Sequence, residues 1–274
     1  MKLFKDHLDR ELQIPTFPQR IVSICPAITE TLFALNVQDQ VVGRTKYCIF
    51  PKHQVEALPS VGGTKDVSIE KVRALKPDLI LAEKEENTKE TVELLSEIAP
   101  VVVFEVQTIE DSYRLIRDLG AVSGAQTAAT KLEQEARMSF DSLPKVSGQP
   151  SVLYMIWRKP YMAVGDTTYI QATLEALGFQ NAAKPLDGRY PEITPELLEE
   201  LKPDYLLLAS EPFPFAEKHK QEFAEFTSTS KPVLVAGEMF WYGAKMTEAA
   251  HYFKKLFEND ESFIIDNDTV KKVR

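Results

Sequence analysis

EKVRALKPDLILA at residues 70–82 and ELLEELKPDYLLLA at residues 196–209 are two versions of one pattern, and this repeated pattern decides the fold. Each version begins with a glutamate, passes through Leu-Lys-Pro-Asp and ends in an apolar stretch. Because proline disfavours helix at the residue before it, the pattern predicts a helix that ends at Lys-Pro-Asp, followed directly by a buried strand. Ser68 and Thr194 precede Glu70 and Glu196 by two residues, where each can cap its helix.

The two leading glutamates have a structural explanation that needs no function. An acid in the first turn complements the positive end of a helix, and Pro195 suits the first helical position of the second copy. The repeat also predicts that Glu70 and Glu196 lie at equivalent, exposed positions of the two lobes.

Two more matches between the halves of the chain occur in the same order. Residues 31–37 (TLFALNV) parallel residues 173–179 (TLEALGF), and residues 100–103 (PVVV) parallel residues 232–235 (PVLV). Three matches in one order predict two lobes of similar topology.

Short apolar runs alternate with segments of helical pattern along both halves. The predicted strands are residues 20–25, 41–43, 79–82, 101–104, 152–156, 205–208 and 233–236. The predicted helices are residues 29–35, 68–75, 89–98, 109–119 (closed by Gly120), 169–177, 195–201 and 247–258. This alternation predicts an α/β fold with parallel-rich sheets flanked by helices.

One segment between the halves departs from the alternation. Residues 125–143 contain no strand signal and favour helix throughout, and KVSGQP at residues 145–150 breaks the chain after them. We therefore predict an N-terminal α/β lobe at residues 1–122 (with an extension at 1–18), a linking helix at 123–144 and a C-terminal α/β lobe at 145–274. Because ligands bind beyond the carboxyl ends of parallel strands, we expect a ligand cleft between the two lobes.

Composition argues against several classes of partner. The chain of 274 residues has a net charge of −9 and no basic run, which argues against nucleic acid. No apolar run approaches the roughly 20 residues of a membrane span, so we expect no membrane insertion. Cys25 and Cys48 lie outside any CxxC motif or Cys/His cluster, and the sequence leaves open whether they form a disulfide or are two buried thiols.

Motifs for catalysis and metal binding are missing. The chain has no GxSxG, P-loop, GxGxxG or HExxH motif. Its four histidines, His7, His53, His219 and His251, are scattered without ligand spacing. We therefore predict a binding protein that has no catalytic residues, no metal site and no cofactor of its own, and that is not an enzyme.

Aromatic and charged residues follow several of the predicted strands. Such residues suit a large small-molecule ligand with flat surfaces and polar edges, because rings stack on its faces and charged groups pair with its edges. The candidate ligand-binding residues of this kind are Tyr47, Phe50, Glu83, Trp157, Arg158, Tyr161, Glu238, Phe240, Trp241 and Tyr242.

The stretches RIVSICPAITETLFALNVQDQVVGRTKYCIFP at 20–51 and LPSVGGTKDVSIEKVRALKPDLILA at 58–82, followed by the long helix and the second copy of the repeat, resemble the class III periplasmic-binding-protein family. These receptors deliver vitamin B12, haem or ferric siderophores to ABC importers. The resemblance implies a monomer of two α/β lobes that are bridged by one long helix and clamp the ligand. It also implies that Glu70 and Glu196 dock on arginines of an importer permease.

The resemblance leaves the ligand open. The positions that are similar to B12-binding members are Tyr47, Phe50, Tyr161, Tyr190 and residues 238–242. Thr64 and Glu83, in contrast, take positions that hold pocket tryptophans in the B12 binder. The expected ligand is therefore a ferric siderophore, haem or a cobalamin-like corrinoid, and Arg44, Lys46 and Arg158 could hold an anionic ferric chelate.

The compartment is also open. The family is periplasmic or lipid-anchored outside the membrane, whereas the N-terminus of this chain lacks the apolar stretch of a signal peptide, so a cytoplasmic location is left open as well. The alternative function is therefore an intracellular binding or sensor protein that uses the same fold without an importer.

Overall fold

The structure is a computed structural model, and it describes residues 1–259 and 263. The chain divides into two compact units. Unit 1 comprises Met1–Val106, Glu110–Arg137 and Tyr242–Ala244, and unit 2 comprises Gln107–Ile109, Met138–Trp241 and the described residues from Lys245 onward. The lobe boundaries expected from the sequence stay a prediction.

The first six strands and six helices belong wholly or mainly to unit 1. The strands are β1 (Lys2–Lys5), β2 (Glu11–Ile14), β3 (Ile21–Ser23), β4 (Val41–Arg44), β5 (Leu79–Glu83) and β6 (Val101–Phe104). The helices are α1 (Pro26–Ala34), α2 (Lys52–Val55), α3 (Ile69–Ala74), α4 (Lys89–Ser96), α5 (Ile109–Ser123) and α6 (Gln126–Asp141), with a 3-10 turn at Gln38–Gln40. Each strand and helix predicted from the sequence in this half is present, with its ends shifted by a few residues.

The core of unit 1 is a parallel sheet with the strand order β4–β3–β5–β6. Strands β3, β5 and β6 are buried on both faces, which explains why their sequences are unbroken apolar runs. On one face Val22, Ile80 and Val101 pack with Val72 of α3 and Leu95 of α4. The sheet therefore directs the carboxyl ends of its four strands to one edge.

Helix α5 is longer than the sequence predicts. It continues past Gly120 to Ser123, and Gly124, with a φ of +85°, follows it in the left-handed conformation that glycine adopts most readily. Gly120 has a packing role instead, because a Cβ at this position would lie 2.3 Å from the Cβ of Ala129 in α6. The prediction that Gly120 closes the helix is therefore wrong, since this glycine allows α5 and α6 to approach closely.

The N-terminal extension forms an antiparallel hairpin of β1 and β2, which the sequence analysis does not predict. The buried carboxylate of Asp6 accepts hydrogen bonds from the Arg10 guanidinium at 2.9 and 2.6 Å and from the Val103 amide of β6 at 3.2 Å. His7 Nε2 lies 3.1 Å from the Asp118 carboxylate of α5. These contacts fasten the hairpin to β6 and α5, and local periodicity does not reveal them because the partners are distant in sequence.

Unit 2 contains the remaining described strands and helices. The strands are β7 (Ser151–Trp157), β8 (Met162–Ala163), β9 (Gln180–Asn181), β10 (Tyr205–Ala209) and β11 (Lys231–Val235). The helices are α7 (Tyr169–Ala176), α8 (Pro195–Leu201), α9 (Glu217–Phe226) and α10 (Lys245–Asn259), with a 3-10 turn at Gly237–Phe240.

The sheet of unit 2 repeats the parallel arrangement. Strands β11, β10 and β7 are neighbours in that order, β9 pairs in parallel with β7, and β8 pairs antiparallel with β7. Leu153 and Leu206 pack with Leu198 of α8 and Phe223 of α9. The predicted α/β fold with parallel-rich sheets flanked by helices is thus confirmed in each unit.

Helix α9 is absent from the sequence prediction. Its sequence, EKHKQEFAEF, contains neither proline nor glycine, and it buries His219 and Phe223 on the side facing the core. This helix-favouring composition is the signal that could have revealed it. Across residues 1–259 and 263, no helix is both long enough and apolar enough to span a bilayer.

Candidate functional site

The two copies of the repeated pattern start their helices in the same way. The hydroxyl of Ser68 accepts a hydrogen bond at 3.4 Å from the amide three residues on, and Thr194 does the same at 3.2 Å. Glu70 and Glu196 both take the second helical position, and both are exposed. Hydrogen bonds from its own amide and from Thr194 lower the pKa of Glu196, so this carboxylate is ionised at neutral pH. Each helix start therefore presents one carboxylate to solvent.

Glu83 is the last residue of β5, and its side chain turns inward. The residue is 2% exposed, and its Oε2 accepts hydrogen bonds from the amides of Glu85 at 2.7 Å and Glu86 at 3.0 Å. Burial raises the pKa of Glu83 to about 7, against the lowering effect of these two hydrogen bonds. The carboxyl group therefore changes protonation state near neutral pH, at the carboxyl end of the sheet.

Asn87 ties Glu83 to Thr64, which is also a predicted site residue. Its Oδ1 accepts from the Glu83 amide at 2.9 Å, while its Nδ2 donates to the carbonyls of Ile24 at 3.1 Å and Thr64 at 2.9 Å. Thr64 is itself buried. The structure thus brings Thr64 and Glu83 together in one network after β3 and β5, and the sequence analysis misses Asn87 as its centre.

Three predicted aromatic residues lie near the strand ends of unit 1. Tyr47 is 51% exposed, and Lys46 Nζ lies 5.0 Å from the centre of its ring. Phe50, in the same loop after β4, is half-buried. The Tyr242 hydroxyl lies 3.3 Å from Cys25 Sγ, directly after β3. Tyr47 therefore offers an open ring face, whereas Tyr242 is anchored through its hydroxyl.

The cations that were expected to hold an anionic chelate in unit 1 already have protein contacts. Arg44 donates from Nε to the Val55 carbonyl at 3.2 Å and from Nη1 to the Thr45 carbonyl at 3.1 Å. Lys46 Nζ lies 3.7 Å from the Asp66 carboxylate. Arg44 thus stabilises its own loop, and Lys46 is paired at the surface.

In unit 2, the residues after β7 meet helix α9. Arg158 Nε lies 3.0 Å from each carboxylate oxygen of Glu222, and the Tyr161 hydroxyl donates to the same carboxylate. Burial and this hydrogen bond raise the pKa of Tyr161 to about 12, so the hydroxyl keeps its proton. Trp157 is 41% exposed, with its ring centre 6.2 Å from that of Phe213. Glu222 is a residue that the sequence analysis misses.

Carboxylates follow β10 and β11, the two strands on one side of β7. After β10, Glu211 Oε1 accepts from Trp241 Nε1 at 2.5 Å. After β11, Glu238 Oε2 lies 3.3 Å from the Ser210 hydroxyl, which also accepts from the Gly237 amide at 2.9 Å. These bonds join the ends of β10 and β11 and orient the Trp241 indole.

Phe240 and Tyr190 have different surroundings. Phe240 is 3% exposed, and its ring packs 4.6 Å from Tyr154 and 5.0 Å from Phe253, so it is a core residue of unit 2. Tyr190 is half-buried in the segment before α8. The carbonyl of the next residue, Pro191, accepts a hydrogen bond from the Ala163 amide of β8 at 3.0 Å. Tyr190 therefore lies beside the strand that pairs with β7.

Both cysteines are buried free thiols, so the open question of a disulfide is resolved in favour of two thiols. Burial raises the pKa of each, and for Cys25 it does so strongly. No group of three or more His, Cys, Asp or Glu side chains able to hold a metal ion occurs within the part of the chain that the structure describes.

A cavity of about 750 Å³ lies elsewhere in unit 2. Its lining includes Gln149, Gln180 and the ion pair of Lys184 with Glu175, which is 2.6 Å long. Gln149 and Gln180 flank the starts of β7 and β9. The cavity is thus at the amino ends of the strands and contains none of the predicted site residues.

Comparison with known proteins places this geometry in a family. The sequence pattern of the family described as periplasmic binding protein matches residues 21–234. An uncharacterized ABC transporter substrate-binding lipoprotein of Bacillus subtilis is 27% identical over 213 residues, which cover 74% of this chain and 67% of that protein. A vitamin B12-binding protein of Pectobacterium carotovorum is 24% identical over 201 residues, which cover 71% of this chain and 72% of that protein. The structure of a petrobactin-binding protein of Bacillus subtilis matches with a TM-score of 0.80 at 18% identity and covers 94% of this chain and 99% of that one.

The family match identifies the class of protein as binding proteins, and the two parallel-rich sheets agree with it. The chain belongs to the periplasmic binding protein family, since the family pattern covers most of its 274 residues. The class III assignment made from the sequence is confirmed. Its members are substrate-binding proteins of ABC transporters and not enzymes, which agrees with the prediction of a non-catalytic binding protein.

Proposed function

We propose that this chain is the solute receptor of an ABC importer for a ferric siderophore, haem or a cobalamin-like corrinoid. Family membership supports the binding role, and the named ligands of its relatives, vitamin B12 and petrobactin, suggest the ligand class. The observation that carries the proposal is the matched placement of Glu70 and Glu196. Each is an exposed carboxylate at the second position of a helix that ends in Lys-Pro-Asp.

Docking on an importer is the task proposed for this pair. Helix capping explains the hydroxyls of Ser68 and Thr194, and both glutamates remain exposed to solvent, Glu196 with a hydrogen bond from Thr194. Exposed carboxylates at fixed helix positions can form charge-assisted hydrogen bonds with arginines of a partner. One such group in each unit would give a receptor two docking points of the same local geometry.

Ligand contacts are proposed for residues that follow the strands. In unit 1 the proposed contacts are Tyr47, Phe50, Thr64, Glu83 and Tyr242. In unit 2 they are Trp157, Arg158, Tyr161, Tyr190, Glu238 and Trp241, with Phe240 supporting them from the core. The open ring faces of Tyr47 and Trp157 suit stacking on a flat ligand.

Titration of the purified chain tests the proposal. Ferric siderophores, haem and cyanocobalamin are added separately while tryptophan fluorescence and the melting temperature are followed. We expect one class of ligand to change the fluorescence of Trp157 or Trp241 and to raise the melting temperature without being turned over. If every ligand leaves both signals unchanged, the proposed function is wrong. Mass spectrometry of ligand that copurifies from native cells would then identify the true ligand.

A further inference from the structure

The guanidinium of Arg158, directly after β7, is held by Glu222 of α9. Its Nε lies 3.0 Å from both carboxylate oxygens, and its Nη2 lies 3.0 Å from Oε2. The Tyr161 hydroxyl donates to Oε1 of the same carboxylate. Glu222 thus binds both of the polar candidate ligand residues that follow β7.

This ion pair is partly shielded from water. The side chains of Arg158 and Glu222 are 26% and 22% exposed, so solvent screens their attraction less than it does for a surface pair. The Tyr161 ring packs 5.0 Å from the ring of Phe223 and 6.1 Å from that of Phe226, which fixes α9 beside the loop after β7. The packing of α9 therefore holds the ion pair in place within unit 2. The positive charge of Arg158 is already compensated by Glu222.

The other charges that follow β7, β10 and β11, the three neighbouring parallel strands, do not restore a positive excess. Lys159 is exposed beside Arg158, while Glu211 follows β10 and Glu238 follows β11. Together with Glu222 there are three carboxylates for two cations. An anionic ligand at these strand ends would meet no net positive charge, whereas a neutral or cationic ligand would meet acceptors for its N–H groups.

We propose that Glu222 is a specificity-determining residue, which cancels the charge of Arg158 and so selects neutral or cationic chelates over anionic ones. The inference rests on the proposed function as a chelate receptor. Three hydroxamates, each singly negative, neutralise a ferric ion, whereas three catecholates, each doubly negative, leave a strongly anionic complex. A corrinoid with intact amide side chains belongs to the first group, and the same corrinoid with those amides hydrolysed to carboxylates belongs to the second.

Binding by the full chain to two matched ligand pairs tests the proposal. The pairs are a ferric tris-hydroxamate with a ferric tris-catecholate, and cyanocobalamin with its carboxylate derivative. We expect the wild type to prefer the less negative member of whichever pair it binds. Glu222→Gln should improve binding of the anionic member about tenfold or more, because the guanidinium becomes available to it, and should leave binding of the neutral member nearly unchanged.

Two further variants isolate the ion pair. In Arg158→Gln/Glu222→Gln the gain for the anionic member should disappear, since the freed cation is gone. Glu225→Gln removes the same charge from an exposed position of α9 and should not change the preference. Melting temperatures of all variants report whether each is folded.

The outcomes distinguish a failure of the role of Glu222 from a failure of the proposed function. If the wild type binds one pair but Glu222→Gln does not change the ratio of affinities, or if the wild type prefers the anionic member, the role of Glu222 is refuted while chelate binding stands. If the wild type binds neither pair, the role of Glu222 is refuted, and if it does not bind haem either, the proposed function fails as well.

Discussion

The carboxylate of Asp204 accepts two hydrogen bonds from Ser151, one from its amide at 2.7 Å and one from its hydroxyl at 2.8 Å. Ser151 begins β7, and Asp204 directly precedes β10, which pairs in parallel with β7. In unit 1, Asp78 accepts from the amides of Gln19 at 2.8 Å and Arg20 at 2.9 Å, just before β3. The aspartate of each Lys-Pro-Asp turn therefore joins the starts of two neighbouring strands.

Asp204→Ala is expected to lower the free energy of unfolding by about 1–2 kcal/mol, because the amide and hydroxyl of Ser151 lose an ionised acceptor. Urea unfolding followed by circular dichroism measures the change. Asp187→Ala, at an exposed position of the same unit, should stay within about 0.5 kcal/mol of the wild type. Equal stability of the Asp204 variant and the wild type would show that these bonds contribute nothing.

Glu83 should make stability depend on pH. Its pKa is raised from 4.5 to about 7, chiefly by burial, so the folded state favours the protonated carboxyl. The contribution of this preference to the free energy of unfolding is fully present below pH 4.5, the ordinary pKa of a glutamate, and it is lost as the pH rises through about 7. On account of this one group, the free energy of unfolding should fall by about 2 kcal/mol between pH 5 and pH 8.

Glu83→Gln removes this titration and keeps an oxygen that can accept from the Glu85 and Glu86 amides. Between pH 5 and pH 8, the free energy of unfolding of the variant should rise by about 2 kcal/mol relative to that of the wild type. Urea unfolding at both pH values measures this difference. Glu90→Gln, on the exposed side of α4, serves as the control. A constant difference between variant and wild type across this range contradicts the burial effect.

Cys25 and Cys48 should be unreactive in the folded protein. Burial raises the pKa of both thiols, and the thiolate is the nucleophile, so an aromatic disulfide reagent should label neither at pH 8 within minutes. In urea without reductant, both should react at once. Rapid labelling of the folded chain would contradict the burial, and no labelling in urea would instead show a disulfide.

Removal of the docking carboxylates should impair uptake without impairing ligand binding. Glu70→Ala and Glu196→Ala are each expected to weaken association with the importer about tenfold or more, and the double variant should abolish uptake in native cells. The cost to stability should be small, since both acids are exposed and act only in the first turn of a helix, where Glu196 also accepts a hydrogen bond from Thr194. Uptake assays and ligand titrations are compared in parallel.

Glu90→Ala is the matched control for docking, because Glu90 is also an exposed acid at the second position of a helix capped by a threonine. It should leave uptake unchanged. Full uptake by the double variant would refute docking through Glu70 and Glu196 and would favour the alternative of a binding protein that acts without an importer.

Most of the fold could be predicted from the sequence, because its determinants are local. Hydroxyl caps, prolines and apolar runs define the helix and strand of each repeated pattern, and the structure contains both where they are expected. Helix α9 is an exception that its own composition could have revealed, whereas two others depend on distant partners. The sequence predicts that Gly120 ends a helix. In the structure it lies inside α5, where the absence of a Cβ makes room for Ala129. The N-terminal hairpin depends on contacts of Asp6 with β6.

For the candidate site, the sequence predicts which residues follow the strands, but it does not predict their electrostatic surroundings. Sequence order alone indicates which residues follow the strands, and Tyr47 and Trp157 do expose their rings there. It does not indicate that Glu83 turns inward, nor that Phe240 belongs to the core. Both outcomes depend on neighbours that come from other parts of the chain.

Local sequence is enough to specify two α/β units with matched helix starts, since capping, proline geometry and apolar periodicity act within a few residues. The charge at the strand ends of unit 2, in contrast, depends on the tertiary structure. Arg158 is a free cation in the sequence, and it becomes a compensated one because α9 brings Glu222, 64 residues away, within 3.0 Å of its guanidinium. Electrostatic interaction depends on distance in space, and folding alone sets that distance.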